Sequence, residues 1–402
     1  MKMFQKIKKK IKSVWVKREL LKGKRKIRVG FVLQVPALWD KLNAVYESLE
    51  RAPSFEVIPI VIPPYNWQME KFDELCEDNL FIRLFPNCVY ALQDDGNVID
   101  ISTLCLDYIF YQRPYDVYMP SGLKSCDVAN YAKVCYVPYG YSMLKKYSDF
   151  NTNDEFFRNV YFAFLDCKEN LEILSKQYSL SIQQGKQHFV LTDYPEFDNY
   201  RRTEPLENAH QKPFRILWTP RWTYDSILGG SHFFEYKDPL VEFANRNPSL
   251  QITIRPHPMM FENFLKEGRM SKEDFTGFKN KLQENGIILS ETAELKDDLL
   301  NADILITDYS TIIAPYLLTG NPIIYCDELD DEPFNHTEML FDSLYRCTNW
   351  NAIEERLCSL LNGEDERKPL RMEAAKTLGN GNAAQGIRDM LFEDYIARAS
   401  VE

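Results

Sequence analysis

No apolar run reaches 18 residues, so no segment of this sequence reads as a membrane span. The nine cysteines form no CxxC pair and no His–Cys cluster, which speaks against both a zinc site and a disulfide framework and for reduced thiols. Histidine is scarce, with five in 402 residues and none before His188, so imidazole chemistry is confined to the later part of the chain. Internal repeats are absent, and the start lacks the apolar core and small-residue cleavage site of a secretory signal. What is present suits a packed globular protein. Apolar residues make up 45% of it and aromatics 13%, and 402 residues predict about two domains.

The net charge of −11 conceals two opposite regions. Residues 1–28 hold 13 Lys/Arg and one acid, Glu19, leaving 35 basic and 58 acidic side chains elsewhere, a net of −23. An acidic body argues against nucleic acid as a partner. Within residues 1–22, Phe4, Ile7, Ile11, Val14 and Trp15 recur at helical spacing among lysines, the composition of an interfacial helix on an anionic membrane surface.

The body alternates strands and helices. Strands are expected at Ile27–Val35, Val57–Ile62, Asp107–Tyr111, Val134–Val137 and His188–Leu191, with a helix over Leu38–Glu50 and another over Met69–Asp78. A second set has strands at Arg215–Trp218, Gln251–Arg255, Gly286–Leu289, Ile304–Thr307 and Pro322–Tyr325. Its helices fall near Pro239–Arg246, Lys272–Glu284, Leu295–Asn301 and Ile312–Leu318, with two more at 351–362 and 366–398. The fold class is α/β, two Rossmann-like parallel sheets with a cleft expected between them. The boundaries read as a basic membrane-contact segment 1–26, an N-terminal domain 27–200, a polar linker 201–213 and a C-terminal domain 214–380. Residues 381–402 read as a helix packing back on the N-terminal domain.

Three strand ends in the second half carry polar residues: Trp218-Thr219-Pro220-Arg221-Trp222, Arg255-Pro256-His257-Pro258 and Asp308-Tyr309-Ser310-Thr311. In a parallel sheet all three open on one edge, where ligands of α/β proteins sit. Arg221, Arg255 and His257 would surround Ser310 and Thr311 at a helix start, a set suited to a diphosphate because guanidinium forks match phosphate oxygens. An ordinary N-cap would use the same turn residues. The acidic run Asp327–Glu332 reads as a solvated loop rather than a Mg²⁺ site, so no metal or cofactor is assigned; His232 fits a surface loop as well as a site.

The sequence WTPRW, then RPHP, then ADILITDYST followed by NPIIYC, resembles the CDP-glycerol glycerophosphotransferase family, the bacterial teichoic-acid and capsule enzymes. The resemblance spans about residues 107–330 and is strongest over 214–326. It implies a GT-B architecture with the nucleotide donor in the C-terminal domain. It also implies transfer of glycerol phosphate, or a related alditol phosphate, from a CDP-alditol to a hydroxyl of a lipid-linked glycan acceptor, with release of CMP at the inner face of the cell membrane. Carried over residue by residue, His257 and Arg255 match the family's donor-phosphate histidine and the arginine before it. Asp308, Ser310 and Thr311 match its ITDYSS turn, and Thr219 and Arg221 match a PTWR stretch more loosely. The family's N-domain Trp-His-Gly turn is replaced here by Pro138-Tyr139-Gly140, and Asp193 stands where a glycine is common. Candidates for the base toward the acceptor are therefore Asp116 and Tyr139. An inverting glycosyltransferase using a nucleotide sugar is the competing enzyme reading, and a nucleotide-binding scaffold the non-enzyme one.

Overall fold

The computed structural model describes residues 2–66, 69–75, 79–93, 96–142, 153–200, 213–224, 230–291, 295–326 and 338–401, without the side chains of 2–9 and 338–339. The chain divides into two units, one drawn from residues up to Asn199 and from Asn380 onward, the other from Tyr200–Gly379.

The sheet of the first unit contains β1 (Ile27–Leu33), β2 (Phe55–Val61), β5 (Val89–Tyr90), β6 (Tyr108–Tyr111), β7 (Lys133–Tyr136), β8 (Val160–Leu165) and β9 (His188–Leu191); β3 (Tyr65–Asn66) and β4 (Lys71–Phe72) form a separate small hairpin. The order is β5-β2-β1-β6-β7-β8-β9, and every described pairing is parallel. Strands buried on both faces explain the unbroken apolar runs, since alternation survives only where one face meets water. Gly30 lies in β1 because a Cβ there would come within 2.7 Å of Leu106 Cδ1. The helix expected over Met69–Asp78 is not found. Its described part forms the hairpin, in which the Phe72 ring packs edge-on against Tyr65 at 5.2 Å, and its charges follow no helical period. Residues 76–78 of that stretch lie outside the description.

The helix Lys2–Leu21 is attached to this unit through Val16 and Leu20, both fully buried, and Ser54 Oγ donates to the Leu20 carbonyl at 3.1 Å. Ile11, Val14 and Trp15 remain 66%, 62% and 55% exposed. The helix Ala383–Ala399 belongs to the same unit. Asp198 accepts the N–H groups of Ala383 and Ala384 at its start, and Asp394 accepts the hydroxyls of Tyr108 (2.5 Å) and Tyr161 (2.7 Å). The single helical stretch expected at 366–398 is two helices, Lys368–Thr377 and Ala383–Ala399, parted by Gly379 and Gly381 in the left-handed region at φ 105° and 75°.

The second unit contains β10 (Arg215–Thr219), β11 (Gln251–Ile254), β12 (Ile288–Leu289), β13 (Ile304–Thr307), β14 (Ile323–Cys326) and β15 (Tyr345–Cys347), in the parallel order β12-β11-β10-β13-β14-β15. The sequence reading missed β15, three residues long with an exposed Arg346 at its centre. The core gathers around Trp218, which stacks on Phe233 at 5.9 Å. Burying a phenylalanine contributes roughly 1.5–3 kcal/mol, so Phe233 holds the start of the helix Phe233–Arg246 against the end of β10. No described helix is long and apolar enough to cross a membrane.

Candidate functional site

β10 lies between β11 and β13, with Trp218 level with both Ile254 and Ile306. The three polar clusters therefore do open at one carboxyl edge, with the Thr219–Trp222 segment central.

Asp308 does not face outward. It is 1% exposed, and its Oδ2 accepts the backbone N–H groups of Arg221 (2.7 Å) and His232 (3.4 Å), while Oδ1 lies 2.7 Å from His232 Nδ1. This carboxylate ties the end of β13 to the loop after β10 and to the residue before Phe233. Expected to contact substrate, Asp308 instead orients an imidazole, as carboxylates do for histidines in many active sites. His232 also stacks on Tyr236 at 5.0 Å, which fixes the ring plane. Cys326 completes a group whose ligating atoms lie within 4.8 Å of one another. Burial first, and the charge of Asp308 second, push the Cys326 thiol well above its ordinary value, so it stays protonated. The trio as built is a hydrogen-bonded knot.

Thr219 is also enclosed: its hydroxyl donates to Thr307 Oγ1 at 2.7 Å within the core, so it braces two strands rather than meeting a ligand. Arg221 is held over the Asp308–Thr311 turn. Its Nε donates to Thr223 Oγ1 (3.0 Å), its Nη1 to the Tyr309 carbonyl (3.2 Å), and its guanidinium lies 5.5 Å from the Tyr309 ring. His257 stacks on Trp222 at 5.2 Å, and its Nδ1 accepts the Met259 N–H at 3.2 Å, which places its proton on Nε2. Although His257 is exposed, crowding first and the charge of Arg221 second hold its pKa down to about 4. At neutral pH His257 is an uncharged N–H donor.

Arg255 departs from expectation. Its Nη1 forms an ion pair with Asp298 Oδ2 at 2.5 Å and donates to Ser290 Oγ at 3.3 Å, so this charge is spent beside β12 instead of over the turn. Ser310 and Thr311 are partly exposed, but Ser310 accepts the Ile312 N–H on its hydroxyl (3.3 Å) and the Ile313 N–H on its carbonyl (3.2 Å). The helix behind them runs only Ile313–Leu317, too short to carry much dipole. Arg221 and His257 are thus the strongest groups on this edge. Asp327–Glu332 lies outside the described residues.

In the first unit, Asp116 is 1% exposed and accepts the Ser125 N–H (2.9 Å) and hydroxyl (2.6 Å). Burial raises its pKa against those two bonds. It caps the turn at Ser125–Val128 and is not an open base. Tyr139 is half-buried, with its hydroxyl 3.0 Å from that of Tyr115. Asp193 accepts the Asn380 N–H at 2.7 Å.

Residues 168–342 match the model of the family described as CDP-Glycerol:Poly(glycerophosphate) glycerophosphotransferase, a stretch that includes all three clusters. The chain is an enzyme of this glycerophosphotransferase type. Among solved structures it is similar to a variant of the wall teichoic acid polymerase TagF soaked with CDPG, at 13% identity over 99% of this chain and 94% of that one, TM-score 0.55. It is also similar to UDP-GlcNAc 2-epimerases. The one from Neisseria meningitidis bound to UDP-GlcNAc matches at 12% identity over 91% and 100% of the two chains, TM-score 0.56. That from Methanocaldococcus jannaschii matches at 13% over 91% and 100%, TM-score 0.55. At such identities these likenesses show the shared GT-B-like fold and nothing finer. No curated protein matches the chain. Within this glycerophosphotransferase-type enzyme, the residue the sequence reading left undecided is His232. A lone Gly-Ser-His before a helix carries no signal until the parallel pairing of β10 and β13 brings Asp308 to it.

Proposed function

We propose that the enzyme transfers an alditol phosphate, glycerol phosphate first among them, from a CDP-alditol to a hydroxyl of a lipid-linked glycan, releasing CMP. The observation that carries this reading is the pairing of Arg221 with a neutral, Nε2-protonated His257 on the edge of the matched segment. The acceptor oxygen attacks the β-phosphorus in line, the bond from that phosphorus to the bridging oxygen breaks, CMP leaves, and the acceptor hydroxyl gives up its proton to solvent. Arg221 supplies charge and His257 a hydrogen bond to phosphate oxygens, where electron density builds. The Asp308–His232 pair stiffens the floor of the site. In a loose phosphoryl-transfer transition state the nucleophile's proton is lost late, so positioning and charge carry most of the rate, and an N-domain histidine is not a prerequisite. No metal is placed in this step.

Contact with the membrane is assigned to the helix Lys2–Leu21, whose Ile11, Val14 and Trp15 stand exposed among basic residues while Val16 and Leu20 hold it to the body. The purified chain is expected to pellet with phosphatidylglycerol vesicles and the chain lacking residues 1–22 to remain in the supernatant; equal pelleting removes the helix from this role. Incubation with CDP-glycerol, CDP-ribitol and common nucleotide sugars tests the chemistry. Release of CMP from a CDP-alditol is expected. Turnover of a nucleotide sugar alone would move the reaction to glycosyl transfer, and binding of a cytidine nucleotide without turnover would leave a scaffold.

A further inference from the structure

The carboxyl edge of the first unit's sheet carries a cation for which no function has yet been given. Val32 of β1 is level with Tyr111 of β6, and Tyr111 with Tyr136 of β7, so the residues following these strands, Gln34, Arg113 and Tyr139, emerge side by side. Arg113 is held by neutral groups. Its Nη2 donates to Gln34 Oε1 at 2.5 Å, and its guanidinium lies 4.8 Å over the Tyr118 ring. Its Nε is buried with no hydrogen-bond partner, and among the described residues no carboxylate forms an ion pair with it. Gln34 is itself anchored, donating to the carbonyls of Pro63 (3.2 Å) and Tyr118 (3.0 Å). Burial lowers the Arg113 pKa below its ordinary value, which measures how poorly neutral neighbours replace water around the charge. Two other arginines are matched with acids, the partly buried Arg255 with Asp298 and the fully buried Arg371 with Asp365.

We propose that Arg113 is the anchor of a second anion site, one that takes the phosphate of a polyol or sugar phosphate. A guanidinium fork fits two phosphate oxygens, and the paired hydroxyls of Tyr115 and Tyr139, 3.0 Å apart, border the site with groups that suit the hydroxyls of the attached polyol. The anion site does not depend on the transferase reading.

Calorimetric titration of the full chain with glycerol 3-phosphate, and with glycerol as the neutral control, tests this. The phosphate ester is expected to bind, glycerol not to, and Arg113→Gln to weaken binding about tenfold or more, the scale of a charge-assisted pair, with unchanged circular dichroism. Arg113→Lys should recover part of the loss. Should Arg113→Gln fail to fold, Gln34→Glu supplies an internal carboxylate to the same guanidinium and is expected to weaken binding by competition. Equal affinity in wild type and folded variants, or equal binding of glycerol and its phosphate, overturns the site. CDP binding by the wild-type chain reports separately on the donor reading, so the two can fail independently.

Discussion

Both units end a parallel sheet in a polar edge, yet the two edges are built on opposite principles. In the second unit the edge is organised by a buried anion: Asp308 gathers the Arg221 N–H, the His232 N–H and the His232 ring, and the cation and the N–H donor stand outside it. In the first unit the edge is organised by amides and tyrosines around a guanidinium, with the nearby carboxylate, Asp116, turned inward onto Ser125. Two aspartates, Asp308 directly after β13 and Asp116 in the turn that follows β6, each 1% exposed, thus do different work. Asp308 orients groups proposed to face the ligand, whereas Asp116 closes a turn.

Mutagenesis sharpens this contrast. The largest effect is expected at His257, which is partly open to solvent and acts directly in the proposal. His257→Ala should lower CMP release from a CDP-alditol about 10²–10³-fold, the usual loss of one transition-state donor, with the thermal melt little changed. Near-normal turnover would remove His257 from the site. A smaller effect is expected at Asp308→Asn, which keeps the shape but no longer accepts on both sides from His232. Loss of an orienting partner costs about 10–100-fold, here in kcat rather than KM. Asp116→Asn should cost about 1–2 kcal/mol of stability, the scale of a spoiled buried hydrogen bond, and leave turnover nearly intact. Loss of turnover in a folded Asp116→Asn enzyme would restore Asp116 as the base and erase the distinction between the two edges.

How much of this was legible beforehand follows from the reach of each interaction. Strands such as Ile304–Thr307 and the helix Lys272–Glu284 are written in local periodicity, and the sequence places them as the structure does. The common edge followed from assuming a parallel sheet. The direction in which each side chain turns was not legible, because it depends on partners far along the chain. Arg255 is diverted by Asp298 forty-three residues later, and Thr219 by Thr307. Asp308 acquires His232 through a loop seventy-six residues earlier. A one-dimensional motif names the residues of a site and is silent on which of them the fold consumes for its own bracing. Arg113 shows the converse. It lies in an Arg-Pro-Tyr-Asp stretch that the sequence reading used only for its aspartate, and the lack of an ion pair among the described residues draws notice to the arginine.

The smallest effect expected concerns pH, and its sign follows from His257. In the unfolded chain this histidine titrates near its ordinary value of 6.5; in the folded protein crowding and Arg221 hold it at about 4. Between those values the unfolded state binds the proton and the folded state does not, so stability rises with pH across the window from about 4 to 6.5. Its contribution is fully present above 6.5 and lost as pH falls through the folded pKa. Because His257 is exposed, solvent screening makes this slope shallow. Melting temperatures of wild type and His257→Gln, recorded from pH 4 to 7, should differ in slope within that window and run parallel above it. Parallel curves throughout would mean that His257 is not crowded or charged against in solution, and the neutral-donor role assigned to it on this edge would lose its physical basis.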